Sequence, residues 1–342
     1  MTTSATQGSH IPAARITRAV RIAAVVLTVV LLSVWARSVG VGKVGDALVT
    51  GLTQGAMIAL VALGYTMVYG VLKLINFAHS EVFMMGAYIG VFVLGAMGIE
   101  NPLLSGACAI VVAMLGASLL GITVERVAYR PLRGRGKGAL VRVTPLVTAL
   151  GVSVLLQNAA QLFFSARYRS YPQLITGSLV LPGVGPVGKS RVVILVVAVT
   201  VMVILELIVK KTWFGKSMRA LSANEEAARL MGVRTSRVIS ATFALGSSLA
   251  AIGAVLFCID QSSVYPTMGT AIGTRAFVAA VLGGIGSIPG AMLGGLLLGV
   301  LGELMKLSSY SGSIDAPIFV VLIAVLLVRP AGLLGSNRAE KV

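Results

Sequence analysis

The chain has 342 residues, of which 57% are hydrophobic and 11% charged, with a mean hydropathy of +0.95. Soluble domains carry about 25% charged residues, so this composition excludes a water-soluble enzyme and makes lipid the solvent. The net charge of +17 does not signal nucleic acid, because the Lys and Arg residues fall between apolar runs, where the positive-inside rule puts them.

In lipid every backbone polar group needs an internal partner, which leaves helices or closed barrels. Unbroken apolar runs such as 192–209 select helices, since barrel strands alternate polar and apolar residues. The 40 glycines suit close helix packing where no hydrophobic effect drives association. Cys108 and Cys258 lie inside apolar runs and read as packing residues. His10 and His79 are the two histidines, and no Cys/His cluster spells a metal site.

Taken in order, Arg15, Arg18 and Arg21 precede an apolar run at 22–36, which makes 1–21 a cytoplasmic segment. That run is read as a retained anchor because further spans follow closely. Val34-Trp35-Ala36 is also an acceptable cleavage site for a secretory signal. Spans follow at 51–72, 82–98, 103–124, 143–164 and 192–209. The loop with Arg126, Arg130, Arg133, Arg135, Lys137 and Arg142 is the strongest cytoplasmic signal, and four spans from an inside N-terminus reach it. The loop 165–190 is long, rich in Pro and Gly, less basic, and predicted to face outward.

Residues 183–190 match G-x-x-x-x-G-K-[ST] letter for letter. A phosphate loop needs a buried strand before it and an acidic magnesium partner on a later strand. With a membrane span following and an outward location, the match reads as chance.

The sixth span delivers Lys210, Lys211, Lys216 and Arg219 to the cytoplasm, where a short helix is predicted over 222–232. Ser222 and Glu225 form a capping box, Glu225 and Glu226 favour the positive dipole end, and Gly232 supplies a left-handed stop. Ala223, Ala227, Leu230 and Met231 lie toward one side, leaving Glu225, Glu226 and Arg229 for polar contacts. Spacing alone fits equally a helix lying on headgroups and one docking a cytoplasmic partner.

Spans at 238–259, 271–282, 291–305 and 316–328 complete the set. Arg329, Arg338 and Lys341 put the C-terminus and the tail 336–342 inside. The expected architecture is an all-α integral membrane protein of about ten transmembrane helices over 22–335. The run 271–282 is short enough to be re-entrant instead. Each half has a glycine- or asparagine-bearing turn, and each ends in Arg-Pro (Arg130-Pro131 and Arg329-Pro330), a likeness too slight to carry function.

Between two apolar spans lie Lys73, Asn76, His79 and Glu81 with almost no loop. Polar groups at membrane depth usually pair or line a path. Ser80 capping the next helix, with Glu81 on its dipole and Lys73 snorkelling, is the plainer reading; a place in a translocation path is the other.

Ile75-Asn76-Phe77-Ala78-His79 with Met85-Gly86-Ala87-Tyr88 resembles the signature of permeases of branched-chain amino acid ABC importers. So do the segment Glu225-Glu226-Ala227-Ala228 with Met231-Gly232, the turn Gly283-Gly284-Ile285-Gly286-Ser287-Ile288-Pro289-Gly290, and Arg329-Pro330-Ala331-Gly332-Leu333. The resemblance covers about 51–335 and is nearer the "H" type of subunit than the "M" type. Ser80 departs from the family's usual Gly.

The resemblance implies a non-enzymatic subunit of a bacterial inner membrane that pairs with a sister permease or with itself. It also implies two cytoplasmic ATPases, which carry ATP and magnesium, and an external solute-binding protein; this chain binds no cofactor. Ser222, Glu225, Glu226, Ala227, Ala228, Arg229 and Gly232 then match a coupling segment that inserts into the ATPase. Asn76, His79, Glu81, Gly283, Gly284, Gly286 and Pro289 become candidates for the translocation path and its turns. Permeases for urea and short-chain amides are similar. An ion-coupled secondary transporter is the competing class, and no constellation suits an intramembrane hydrolase.

Overall fold

The computed structural model of the chain describes residues 40–98, 101–132, 140–181, 185–307 and 315–335. Its helices are α1 (Val41–Leu72), α2 (His79–Met97), α3 (Pro102–Val124), α4 (Leu140–Phe164) and α5 (Lys189–Lys211), followed by two short ones, α6 (Trp213–Ala223) and α7 (Glu225–Leu230). Then come α8 (Thr235–Gln261), α9 (Met268–Gly283), α10 (Ile288–Lys306) and α11 (Asp315–Val328). A π-helical turn, Glu125–Tyr129, and a 3₁₀ turn, Arg130–Leu132, extend α3.

Among the described residues, seven helices are long and apolar enough to cross a membrane (α1–α5, α8 and α10), and α9 and α11 are shorter apolar helices. The chain is therefore a multi-pass, all-α membrane protein. The expected span at 22–36 and the tail 336–342 lie outside the described residues.

At the centre stands α1, packed against α8, α9 and α10, while α8 also contacts α2 and α3. Small residues make this possible. Gly51 and Gly55 of α1 meet Gly295 and Gly299 of α10, and each pair is one helical turn apart. A Cβ at Gly51 would lie 2.7 Å from Val300 Cα, and one at Gly55 2.8 Å from Gly295 O. Only glycine allows this approach, which supplies the dispersion contact that membranes otherwise lack. By contrast α4 turns most of its surface outward, Leu155, Leu162 and Phe163 included.

At one end of the bundle, two small ribbons cover the helix ends. Strand β1 (Arg169–Ser170) pairs antiparallel with β4 (Ser263–Val264), and β2 (Ser178–Leu181) with β3 (Gly185–Gly188). Tyr171 is driven under them into α2 at Gly90, where burial pushes its phenol well above its ordinary pKa and keeps it neutral. In the motif 183–190, the described residues 185–188 are strand β3 and α5 starts at Lys189 with Gly188 as its cap. Strand runs directly into helix, leaving no loop to cradle a phosphate.

Beneath the same end, Arg191 of α5 reaches Asp46 at 3.3 Å and Asp260 at 3.7 Å, and donates to Thr50 at 2.8 Å. Gln54 donates to Asp260 at 2.7 Å. One guanidinium thus ties α5, α1 and α8 together.

Candidate coupling helix and translocation site

The connection between α1 and α2 is built on Asn76. Lys73 closes α1 in the left-handed conformation (φ 55°), and its N–H bonds Tyr69 O. Asn76 is buried; its Oδ1 accepts the Ala78 N–H at 3.1 Å and the Tyr129 hydroxyl at 2.8 Å. The start of α2 is therefore fixed by Asn76, and the expected cap, Ser80, does something else. Ser80 sits inside the first turn and donates to Phe77 O at 2.9 Å. The α2 start at His79 leaves it no free N–H to cap.

His79 and Glu81 lie about 200° apart around α2, and the structure sends them to different places. His79 is buried against α1, in the space left by the missing side chain of Gly64, with the Tyr65 ring edge-on at 4.8 Å. Its ring bonds the Val61 backbone. This is a helix-packing position. Glu81 points the other way, toward α4 and α9. Only 1% of it is exposed. Its Oε1 accepts from Ser153 at 3.4 Å and lies 3.4 Å from the Ser80 hydroxyl, and Thr270 of α9 stands alongside. Gln157, one turn along α4 from Ser153, donates to Thr270 at 3.3 Å. Sequence reading missed Ser153, Gln157 and Thr270, uncharged polar residues in or beside apolar runs.

The turn after α9 is 284–287. Gly283 closes α9, and Gly284 (φ 104°) and Gly286 (φ 95°) take backbone angles that a side chain would strain. Ser287 caps α10 by accepting the Gly290 N–H at 3.2 Å, with Pro289 in the first turn, where its lost N–H costs nothing. The closing segment lies on this turn: Leu333 N–H bonds Leu282 O and Leu334 N–H bonds Gly283 O, each at 2.9 Å.

At this end of the bundle also sits α7. It has six residues, shorter than expected, and its cap is Asn224, whose side chain accepts the Ala227 N–H at 2.9 Å. Ser222 belongs to the end of α6, so the expected capping box is corrected: Asn224 breaks the helix between the two residues and takes over the role. Glu225 and Glu226 occupy the first turn, Ala228 is buried toward the bundle, and Gly232 (φ 85°) ends the segment. Ala227 and Arg229 face outward. Leu230 and Met231 are 83% and 85% exposed, the most prominent apolar side chains at this end. From here α8 leads inward, and Ser240 on it donates to Glu125 of the π-turn at 2.6 Å.

The family model described as the branched-chain amino acid transport system / permease component matches residues 47–329. The chain belongs to that family. It is 41% identical over 304 residues to the high-affinity branched-chain amino acid transport system permease protein BraD of Pseudomonas aeruginosa, spanning 86% of this chain and 97% of BraD. LivH of Escherichia coli (strain K12), named in the same terms, is 40% identical over 299 residues, 85% of this chain and 96% of LivH. A probable LivH of Methanocaldococcus jannaschii is 27% identical over 292 residues. Every segment that carried the resemblance except 330–335 falls inside the matched region of this permease.

Proposed function

We propose that this chain is the membrane-spanning permease subunit of an ATP-driven importer and forms part of the path by which branched-chain amino acids cross a bacterial inner membrane. The observation that carries the reading is membership of the permease family together with a capped helix, α7, that presents Leu230 and Met231 outward. An exposed apolar pair beside two carboxylates is a poor surface for water and a good plug for a groove on a partner.

In this reading both chain ends and α6–α7 face the cytoplasm. The α7 helix seats on one of two ATPase subunits, which hold ATP and magnesium, and a second permease, a sister or a copy, lies beside this one. A solute-binding protein delivers substrate at the ribbon-covered end. Closure of the ATPases pushes α7. Because Ala228 is buried and Gly232 joins α7 closely to α8, the push passes into α8, and Ser240 carries it to Glu125 and the π-turn. Tyr129 on that turn holds Asn76, so the displacement reaches the start of α2, where Glu81 faces α4 and α9.

The test is radiolabelled leucine uptake by proteoliposomes holding the chain with its ATPases, sister subunit and binding protein. Uptake is expected to require ATP and every partner, and the chain alone is expected to move nothing. Ion-gradient-driven uptake by the chain alone would overturn the reading, and uptake of urea in place of leucine would reassign the substrate.

A further inference from the structure

Several acids that lie deep in the bundle or at its ends are neutralised by cations: Asp46 and Asp260 by Arg191, Asp315 by Arg275, and Glu303 by Lys306. Glu81 differs. Among the described residues no Lys, Arg or His pairs with it, although it is almost fully buried at membrane depth. Its Oε1 accepts from the Ser153 hydroxyl at 3.4 Å and lies 3.4 Å from that of Ser80, whose proton goes to Phe77 O at 2.9 Å, while Oε2 has no hydrogen-bond partner. A carboxylate so placed is costly unless it takes up a proton or a positive charge comes to it.

The surroundings show from where a cation can come. On the Oε2 side α9 presents glycine: a Cβ at Gly269 would lie 2.8 Å from Oε2, and one at Gly273 would collide with the Ser80 Cβ. These two glycines bring Thr270 to the carboxylate. Thr267, the cap of α9, and Thr270 and Thr274 within it recur along its exposed face, a polar stripe on a helix otherwise apolar and mostly buried in the bundle. The stripe lines an open cavity of about 290 Å³ that ends at the Arg275–Asp315 pair. Beside Thr270 and Glu81, α4 contributes Ser153 and Gln157, yet it is the least buried of the seven spanning helices. Within this chain α4 has few packing contacts, so little here opposes its displacement.

We propose that Glu81, Ser153, Gln157 and Thr270 form a transient seat for the α-ammonium group of the permeating amino acid, reached when α4 shifts away from α9. This rests on the transport reading above and deepens it. The seat recognises what all α-amino acids share and neutral amides or urea lack, while the aliphatic side chain is left to the apolar walls. Hydroxyls and one carboxylate, with no second charge, make a waypoint that releases its ligand rather than a trap.

The assembled transporter in proteoliposomes tests this. Leucine uptake per ATP hydrolysed is compared for wild type, Glu81→Gln and Glu81→Asp, with assembly checked by copurification. Loss of one charge-assisted contact is expected to lower the ratio about ten-fold or more in Glu81→Gln, with Glu81→Asp retaining most of it. Equal ratios for wild type and Glu81→Gln would sink the seat and leave the transport reading standing. A wild type that moves no leucine, with every partner present, would sink the transport reading instead.

A second measurement covers both a Glu81→Gln chain that fails to assemble and an inactive wild type. Thr270→Cys is labelled with cationic and with anionic methanethiosulfonates, and the parent chain supplies the background from Cys108 and Cys258. A clear preference for the cation, abolished by adding Glu81→Asn, is expected from an ionised carboxylate beside a water-reachable Thr270. Equal rates, or no labelling of Thr270→Cys above the background, would overturn the proposal.

Discussion

The Tyr129 hydroxyl donates a 2.8 Å hydrogen bond to Asn76 Oδ1, joining the π-helical turn after α3 to the start of α2 across 53 residues of sequence. The π-turn rotates the end of α3 relative to a straight α-helix, and such bulges recur at functional positions. Tyr129→Phe removes one buried bond and is expected to cost about 1 kcal/mol, whereas Asn76→Ala also strands the Ala78 N–H and the tyrosine hydroxyl, for about 1–3 kcal/mol. Thermal unfolding of the detergent-solubilised chain ranks the two. An Asn76→Ala chain as stable as Tyr129→Phe would contradict the double role given to Asn76.

His79 and Gly64 form a lock in which the ring needs the absent side chain. Gly64→Ala puts a methyl into the imidazole and within 2.9 Å of Gly246 O, and is expected to destabilise by about 1–3 kcal/mol. Adding His79→Ala relieves the imidazole clash. In a double-mutant cycle on unfolding temperature, the pair is then expected to fall well short of the sum of the singles. Simple additivity would mean that the ring is not what fills the space.

The caps separate two accounts of α7. Asn224→Ala is expected to cost the helix about 1 kcal/mol and Ser222→Ala almost nothing. Hydrogen exchange across 222–234 reads the difference directly, as faster exchange at the Ala227 amide in the first variant. Faster exchange in Ser222→Ala, with Asn224→Ala unchanged, would restore the capping box expected from sequence.

Arg191 serves two acids, so its loss should exceed the effect of one surface pair. The Asp260 side chain is only 9% exposed, and Arg191→Met leaves it without its cation at a cost of about 1–3 kcal/mol. Asp260→Asn in the same chain is expected to recover part of the loss in unfolding temperature. No recovery would show that Asp46 and Thr50 are the partners that matter.

Much of this was written in the sequence. Apolar helices were legible because hydrocarbon thickness sets a length and composition that hydropathy reads directly; nine among the described residues lie where apolar runs were found, and seven of them are long enough to cross a membrane. The family was legible from motifs in chain order, two of which, 283–290 and 329–333, are turns where Gly and Pro suit the backbone geometry. Side-chain destinations were not. Asn76, His79 and Glu81 read as one polar cluster, yet a helix separates neighbours by direction, sending His79 into α1 and Glu81 toward α4 and α9. Glu81's companions Ser153, Gln157 and Thr270 lie 72, 76 and 189 positions away in an apolar background (153 − 81, 157 − 81 and 270 − 81). The α7 cap was misplaced for a local reason: Ser222 and Asn224 are both good caps, and only the end of α6 decides between them.

The docking of residues 333 and 334 on the carbonyls of Leu282 and Gly283 bears on how the chain is made. A ribosome delivers α9 and its glycine turn some fifty residues before the segment that completes their hydrogen bonds. During that interval the turn is an open edge inside a forming bundle, and residues 333 and 334 close it like a clasp. A chain stopped at Arg329 would contain every spanning segment and still leave that edge exposed, a form that membrane quality control could tell from the finished protein.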